Sequence, residues 1–289
     1  MLNLLSEPAA PNTFEKIVIF LQAKNVPHPG NYGWFHLMFV ALAIIATVLL
    51  CIYFRDASDK IFRRILWISW MIILIFEIYK QIVFSYNYDA ETGLGSWHYG
   101  WGSFPFQLCS TAMYLLPFAV WLKDSKLRDS VLSFLALFSL FGGLCVYVFP
   151  NDVFNTDLLG VQIQTMVHHG VQIVIAFYIF AHERKRFNFM FFLNSILTFI
   201  VMLAIAMTLN IIGHAAIEGT FFNMFYISPY YSCTLPVLQK LYTLPEPTVP
   251  YALFLIIYIV GFVLCAFIMF AIQFIITKIC QKIYASTRK

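Results

Sequence analysis

Residues 104–122, FPFQLCSTAMYLLPFAVWL, decide how the chain is read. The stretch is apolar enough to cross a bilayer, yet its first turns carry Gln107, Cys109, Ser110 and Thr111. Read as a crossing helix, it is the third of seven apolar stretches of spanning length, each needing about 20 residues. The others are roughly 34–54, 64–86, 129–149, 162–182, 189–213 and 251–279. The last is long enough to tilt or to project beyond the bilayer.

Composition points the same way. The chain has 289 residues, of which 61% are hydrophobic, 18% aromatic and 11% charged, with a mean hydropathy of +0.79. A soluble domain carries about 25% charged residues. A chain with 31 Phe has more apolar surface than one water-facing globule hides. The expected fold is all-α, a polytopic transmembrane helical bundle of about seven helices. One domain covers 34–280, preceded by an extracellular segment 1–33 and followed by a basic cytoplasmic tail, 281–289. Within 1–33, residues 14–24 suit a short interfacial helix with Phe14, Ile17, Val18 and Leu21 on one face. The opening MLNLLSEPAAPNTFEK lacks a basic region followed by an apolar core and does not read as a cleaved signal peptide.

Charge sets the expected orientation. Arg55, Lys60, Arg63 and Arg64 follow the first stretch, Lys123, Lys126 and Arg128 the third, and Arg184, Lys185 and Arg186 the fifth. Lys278, Lys282, Arg288 and Lys289 follow the seventh. The alternate loops carry Asp89 and Glu91, Asp152 and Asp157, then Glu218 and Glu246 with a single Lys240. By the positive-inside rule, the basic loops and the C-terminus are cytoplasmic and the N-terminus is outside. The net charge of +4 reflects those loops, and no nucleic-acid patch is seen. The expected location is a cell membrane, with membrane lipids as partners; the sequence leaves the oligomeric state open.

Six cysteines occur: Cys51, Cys109, Cys145, Cys233, Cys265 and Cys280. Neither CxxC nor Cys/His ligand spacing is present, so no metal site, cofactor or disulfide framework is expected. Most of these cysteines read as small buried hydrophobes.

The polar residues converge in one layer. At a rise of about 1.5 Å per residue, Glu77, Lys80 and Gln81 fall in the outer half of the second stretch. Gln107 and Cys109 lie within roughly two turns of the outer surface. Gly142, Gly143, Cys145 and Tyr147 end the fourth, and His36 begins the first. Gln162, Gln164, Thr165, His168 and His169 open the fifth, and Asn210 and His214 end the sixth as an i, i+4 pair. Asn223, in the loop FFNMFYISPYYSCTLPVLQKLY, joins the binding candidates Gln107, Glu77, Gln164, Asn210 and His214. That loop is expected to re-enter the outer leaflet or to lie over the bundle. On the fifth helix Gln164, Thr165, His168 and Gln172 share one stripe, and His169 points about 100° away from His168.

Each signal has a plain structural reading. Glu77–Lys80 suits a structural pair at i, i+3. Gln, Asn and Thr serve as hydrogen-bonding glue between helices, and Gly142–Gly143 permits close packing. Two adjacent histidines are harder to dismiss, because ionisable groups in hydrocarbon are costly. A thiol is a good nucleophile as thiolate, and a nearby imidazole supplies that state. Cys109 with His168, or with His169, therefore forms a candidate catalytic pair. Glu77, Asn210, Gln107 or Asp157 is a candidate third group to orient the imidazole. Helix-end amides near 106–109, or Asn210, are candidates to hold an oxyanion. A non-enzymatic alternative makes the same layer a binding cavity of a transporter or a lipid-binding or small-molecule-binding protein. No mid-membrane Lys in the last helix suits a retinal Schiff base, and no repeat symmetry of a transporter is seen.

The patterns FPFQLCSTAMYLLP, MVHHGVQI and NIIGHAAIEGTFFNMFYISP resemble the YwaF-type bacterial integral membrane proteins, related to the eukaryotic transmembrane protein 164 family. The resemblance covers about residues 30–280. It implies an acyltransferase moving fatty acyl chains between phospholipids with a membrane Cys and His, here Cys109 and His168 or His169. It also extends to the androgen-induced hydrolases of fatty acid esters, which use Thr and His. The expected activity is therefore that of a membrane-embedded lipid acyltransferase or acyl-ester hydrolase in a bacterial cell membrane, acting through a thioester.

Overall fold

The structure is a computed structural model describing residues 10–24, 29–217, 219 and 221–287, with side chains described to residue 279 apart from that of Asp152. Residues 1–9 of the signal-peptide reading lie outside this description. So do Glu218, Arg288 and Lys289 and the side chains of Asp152, Cys280 and Lys282.

Among the described residues the regular secondary structure is helical apart from one short hairpin. The elements are α1 (Thr13–Leu21), α2 (Trp34–Tyr53), α3 (Asp59–Ser85), β1 (Tyr86–Asp89), β2 (Leu94–Trp97), α4 (Thr111–Trp121), α5 (Lys126–Val148), α6 (Leu159–His182), α7 (Phe189–Ala216) and α8 (Tyr251–Thr287). Among the described residues five helices are long and apolar enough to cross a membrane: α2, α5, α6, α7 and the Tyr251–Ile279 part of α8. The chain is a multi-pass membrane protein.

Seven spanning helices were expected; α3 and residues 104–122 are the two stretches outside the five that qualify by length and apolarity among the described residues. The 27-residue α3 is about 40 Å long, but Glu77 and Lys80 interrupt its apolar run. Residues 104–122 do not form a full crossing helix. They enter as extended chain, make a 3₁₀ turn at Leu108–Ser110, and only then form the 11-residue α4. That helix is about 16 Å long, half of a hydrocarbon core of about 30 Å. Cys109 therefore sits in the turn that opens the half-helix.

Pro117 lies inside α4 and has no N–H to offer the carbonyl of Met113, four residues earlier. The indole Nε1 of Trp70 donates to that carbonyl instead, at 2.9 Å. The last carbonyls of α4 are met by cations: Arg128 Nε donates to Ala119 O at 3.0 Å, and Arg63 Nη1 to Val120 O and Leu122 O at 2.5 and 2.6 Å. Trp70→Phe is expected to leave the Met113 carbonyl unpaired and to cost about 1–3 kcal/mol. Thermal unfolding of the detergent-solubilised protein measures it, and an unchanged midpoint would show that the indole does not hold α4.

All the basic loops meet at one end. Arg184 reaches Asp56 and the Arg55 carbonyl, Arg186 pairs with Asp124 at 2.7 Å and Asp129 at 3.1 Å, and buried Arg128 pairs with Asp59 at 2.8 Å. The Arg186 guanidinium, hydrogen-bonded to Asp124, holds that carboxyl below its ordinary value. Above this basic end the interior is packed with stacked rings, among them Phe138 on Phe199 at 4.5 Å and Phe187 on Phe270 at 4.8 Å.

The opposite end carries the hairpin, α1 and the 217–250 loop. The α1 helix starts with a capping box, Asn12 with Glu15. It is tied to the end of α3 and to β1. Val18 is fully buried, Glu15 accepts from Tyr86 Oη at 3.1 Å, and Tyr79 Oη donates to Leu21 O at 2.8 Å. Of the expected apolar face, Phe14 and Ile17 stay exposed. The long loop lies over the bundle, with Phe222, Met224, Phe225 and Ile227 buried in its core.

The central helix is α5, packed against α4, α6, α7 and α8. Gly142 and Gly143 permit that packing. A Cβ at Gly143 would stand 2.9 Å from the His169 carbonyl and from Ile173 Cγ1, and one at Gly142 would stand 3.8 Å from Cys109 Cα and Cβ. Together they seat the Cys109 turn and the histidine segment of α6 against α5.

Candidate functional site

The site is built where three elements meet at the hairpin end: the last turns of α3, the 3₁₀ turn before α4, and the third turn of α6. The stripe on α6 faces inward as its spacing predicts, with Gln164, His168 and Gln172 buried. His169 is buried as well, its ring centroid 5.2 Å from that of His168. The two imidazoles therefore share one place in spite of their angular separation on the helix.

His168 Nε2 lies 3.1 Å from the backbone carbonyl of Cys109, so it is the N–H that donates there. His169 Nδ1 donates in the same way to Thr165 O at 2.7 Å. Each ring thus spends one nitrogen on a carbonyl, and the other nitrogen, His168 Nδ1 or His169 Nε2, is buried without a partner among the described residues. Backbone carbonyls set these tautomers. Glu77, Asn210 and Gln107 were candidates for that task, but their hydrogen bonds go elsewhere.

Glu77 is 3% exposed. Its Oε1 accepts from Lys80 Nζ at 2.8 Å and from Gln81 Nε2 at 2.6 Å, while Oε2 has no partner. The structural pair expected at Glu77–Lys80 is therefore present, within electrostatic reach of Cys109, and Lys80 within that of both histidines. Gln81 Nε2 also donates to Ser103 O at 2.9 Å. Gln172 keeps both amide atoms unpaired, and Gln107 keeps Oε1 unpaired. Buried polar atoms are nearly always hydrogen-bonded, so these unpaired donors and acceptors single the layer out as the candidate site.

Three candidates prove to be scaffolding or to lie elsewhere. Asn210 is fully buried and clamps the long loop: Nδ2 donates to Met224 O at 3.0 Å and Oδ1 accepts from Met224 N at 2.6 Å. Both polar atoms of its amide are thus engaged by the Met224 backbone. Asn223 does the same within the loop, donating to Ser232 O at 3.1 Å and accepting from Ser228 N at 2.9 Å, and its own carbonyl accepts from Gln107 Nε2 at 2.8 Å. His214 does not join Asn210 on an inward face. It is exposed and stacks on Tyr230 with centroids 3.6 Å apart. His36 is buried beside α5, with Nε2 donating to Tyr147 O at 3.0 Å.

Cys51, Cys145 and Cys265 are half-buried and Cys233 is buried; with Cys109, all are free thiols. Sequence reasoning missed Ser85 and Met113, which line a groove beside Glu77. The spacing 77, 81, 85, one residue per helical turn, is the signal that would have found the first.

A family model described as the TMEM164 family matches residues 31–277. The chain belongs to the TMEM164 family. The match is to that family and does not single out the YwaF-type branch. No curated protein and no solved structure matches the chain. The matched range takes in α2 to α8 up to residue 277, and with them every candidate site residue.

Proposed function

We propose that the protein is a lipid acyltransferase working through a Cys109 thioester in the outer half of a bacterial cell membrane, with membrane phospholipids as its partners. The observation that carries the reading is a pair of imidazoles beside Cys109, each buried and each keeping one ring nitrogen free. The basic end faces the cytoplasm in this reading, by the positive-inside rule. The hairpin end with Cys109 then lies at the depth of outer-leaflet ester bonds. The bundle of residues 34–280 acts as one domain.

We assign the base to His168, because its ring is the one that meets the Cys109 backbone: Nε2 donates to the Cys109 carbonyl, and Nδ1, unpaired among the described residues, is the nitrogen left to take a proton. The thiol proton passes to the imidazole, and the thiolate attacks the carbonyl carbon of a phospholipid ester. The C–S bond forms, the ester C–O bond breaks, and the departing alkoxide takes the proton from the imidazolium. Backbone amides at the start of the Leu108–Ser110 turn, which precede the helical ladder, are the donors this reading assigns to the developing oxyanion. In the second half-reaction an alcohol gives its proton to the imidazole and attacks the thioester. The new C–O bond forms, the C–S bond breaks, and the proton returns to sulfur. With water in place of the alcohol, the same steps amount to hydrolysis.

The test is acyl exchange between isotope-labelled diacyl phospholipid and lysophospholipid by the purified protein in nanodiscs. His168→Ala is expected to slow it by about 10³-fold, within the range of general base catalysis. His169→Ala, which leaves the ring touching Cys109 in place, is expected to slow it by about tenfold. Equal exchange by wild type and His168→Ala would remove His168 from the reaction.

A further inference from the structure

A groove of about 440 Å³ runs along the hairpin end of α3, lined by Leu74, Glu77, Ile78, Gln81, Ile82, Ser85, Trp97, Tyr99 and Met113. This lies within the size range of small-molecule sites. Its walls are apolar, and its rim residue Ile78 is half-exposed beside the equally exposed Ile75, so it opens sideways on the apolar outer face of the bundle. At its hairpin end stand Trp97 and Tyr99, the amphipathic rings that favour a membrane–water boundary. Met113, one turn beyond Cys109, forms the opposite wall.

The polar atoms in the groove share one property. Glu77 Oε2, Gln81 Oε1 and Ser85 Oγ are all buried and without a partner among the described residues. Glu77 and Ser85 are 3% and 6% exposed. Spaced at i, i+4 and i+8, they follow one face of α3 over about 12 Å. The two carbonyl-type oxygens only accept, and the hydroxyl does either. An ester or ether offers the two acceptors Glu77 Oε2 and Gln81 Oε1 nothing; a hydroxyl or an amine satisfies all three. The groove thus combines an apolar channel open to lipid with a row of acceptors.

We propose that this groove is a lipid subsite for a single-chain amphiphile whose head carries a hydroxyl or amine. The chain lies along Leu74, Ile78, Ile82 and Met113, and the head donates to Glu77, Gln81 and Ser85. Its role rests on the acyl-transfer reading: the bound molecule is the alcohol or amine of the second half-reaction, held beside Cys109. The binding itself does not depend on the thiol.

The experiment uses the full chain in nanodiscs and two photoreactive probes with the same diazirine-bearing tail. One is a monoacylglycerol, whose head donates hydrogen bonds; the other is a fatty acid methyl ester, whose head does not. Peptide mapping is expected to place the monoacylglycerol label on residues 74–85 and on Met113, with the methyl ester labelling there at a tenth of that level or less. Ile78→Trp, on the exposed rim, is expected to cut the monoacylglycerol label about tenfold by filling the channel. Glu77→Gln is expected to cut it by a similar factor through loss of a charged acceptor. Equal labelling by both probes, or labelling untouched by Ile78→Trp, overturns the subsite. Cys109→Ala is expected to label as wild type does. A groove that labels in a protein forming no thioester upholds the subsite while the thiol reading fails. A thioester formed without groove labelling upholds the thiol reading and removes the subsite.

Discussion

Replacing Cys109 by Ala is expected to lower acyl exchange by about 10⁴-fold or more, because no other group at the site is able to carry the acyl chain. Ser110 is the only hydroxyl next in sequence, and a hydroxyl without an activating base is a far weaker nucleophile than a thiolate. The substitution is nearly isosteric. It removes one sulfur from a turn whose backbone is held by the His168 ring, by Gly142 packing and by the Ser110 N–H to Gln107 O bond at 2.9 Å. The folded protein is therefore expected to be recovered in wild-type yield, with the loss confined to turnover. Exchange at the wild-type rate by Cys109→Ala would make Cys109 a packing residue and shift the polar layer to the binding reading.

Asn210→Leu is expected to have the largest effect on stability. The amide satisfies both the N–H and the C=O of Met224 in the bundle interior. A leucine fills similar volume but leaves two buried backbone groups unpaired, at about 1–3 kcal/mol each. The cost spreads along the loop. Phe225 and Tyr226 adopt positive φ of 56° and 57° next to the clamp, a conformation that bulky side chains avoid. They hold it because the clamp and the burial of Phe225 leave no alternative. The expected result is a drop of about 3–5 kcal/mol in unfolding free energy, with exchange activity at low temperature reduced in proportion to the folded fraction. Loss of turnover in a fully folded Asn210→Leu protein would instead give the amide a part in the chemistry.

Much of this architecture was legible beforehand because hydrocarbon imposes simple rules. The long apolar helices α2, α5, α6, α7 and α8 follow from runs with few charges, and the meeting of the basic loops at one end follows from their alternation. The inward stripe of Gln164, His168 and Gln172 was readable from the 3.6-residue period. The short α4 was not, since hydropathy reads apolar residues 104–106 alike whether they are helical or extended, and Pro105 and Pro117 were the local signs. The shared position of His168 and His169 depends on how α6 meets the 3₁₀ turn, which periodicity does not describe. Asn210 and His214 show the same limit: one turn apart on α7, one is buried under the loop and the other stacks on Tyr230 outside it. Only the path of 217–250 separates them, and that path is set by side-chain clamps with no repeat to betray them.

The most direct measurement of the central proposal is intact mass spectrometry of the purified protein after incubation with phospholipid, before and after hydroxylamine. The expected result is one added fatty-acyl mass, mapped to Cys109, released by hydroxylamine and absent from the His168→Ala/His169→Ala protein. No adduct on wild type, or on a variant slowed in deacylation, would contradict a thioester and leave Cys109 as a residue that packs the turn against Gly142.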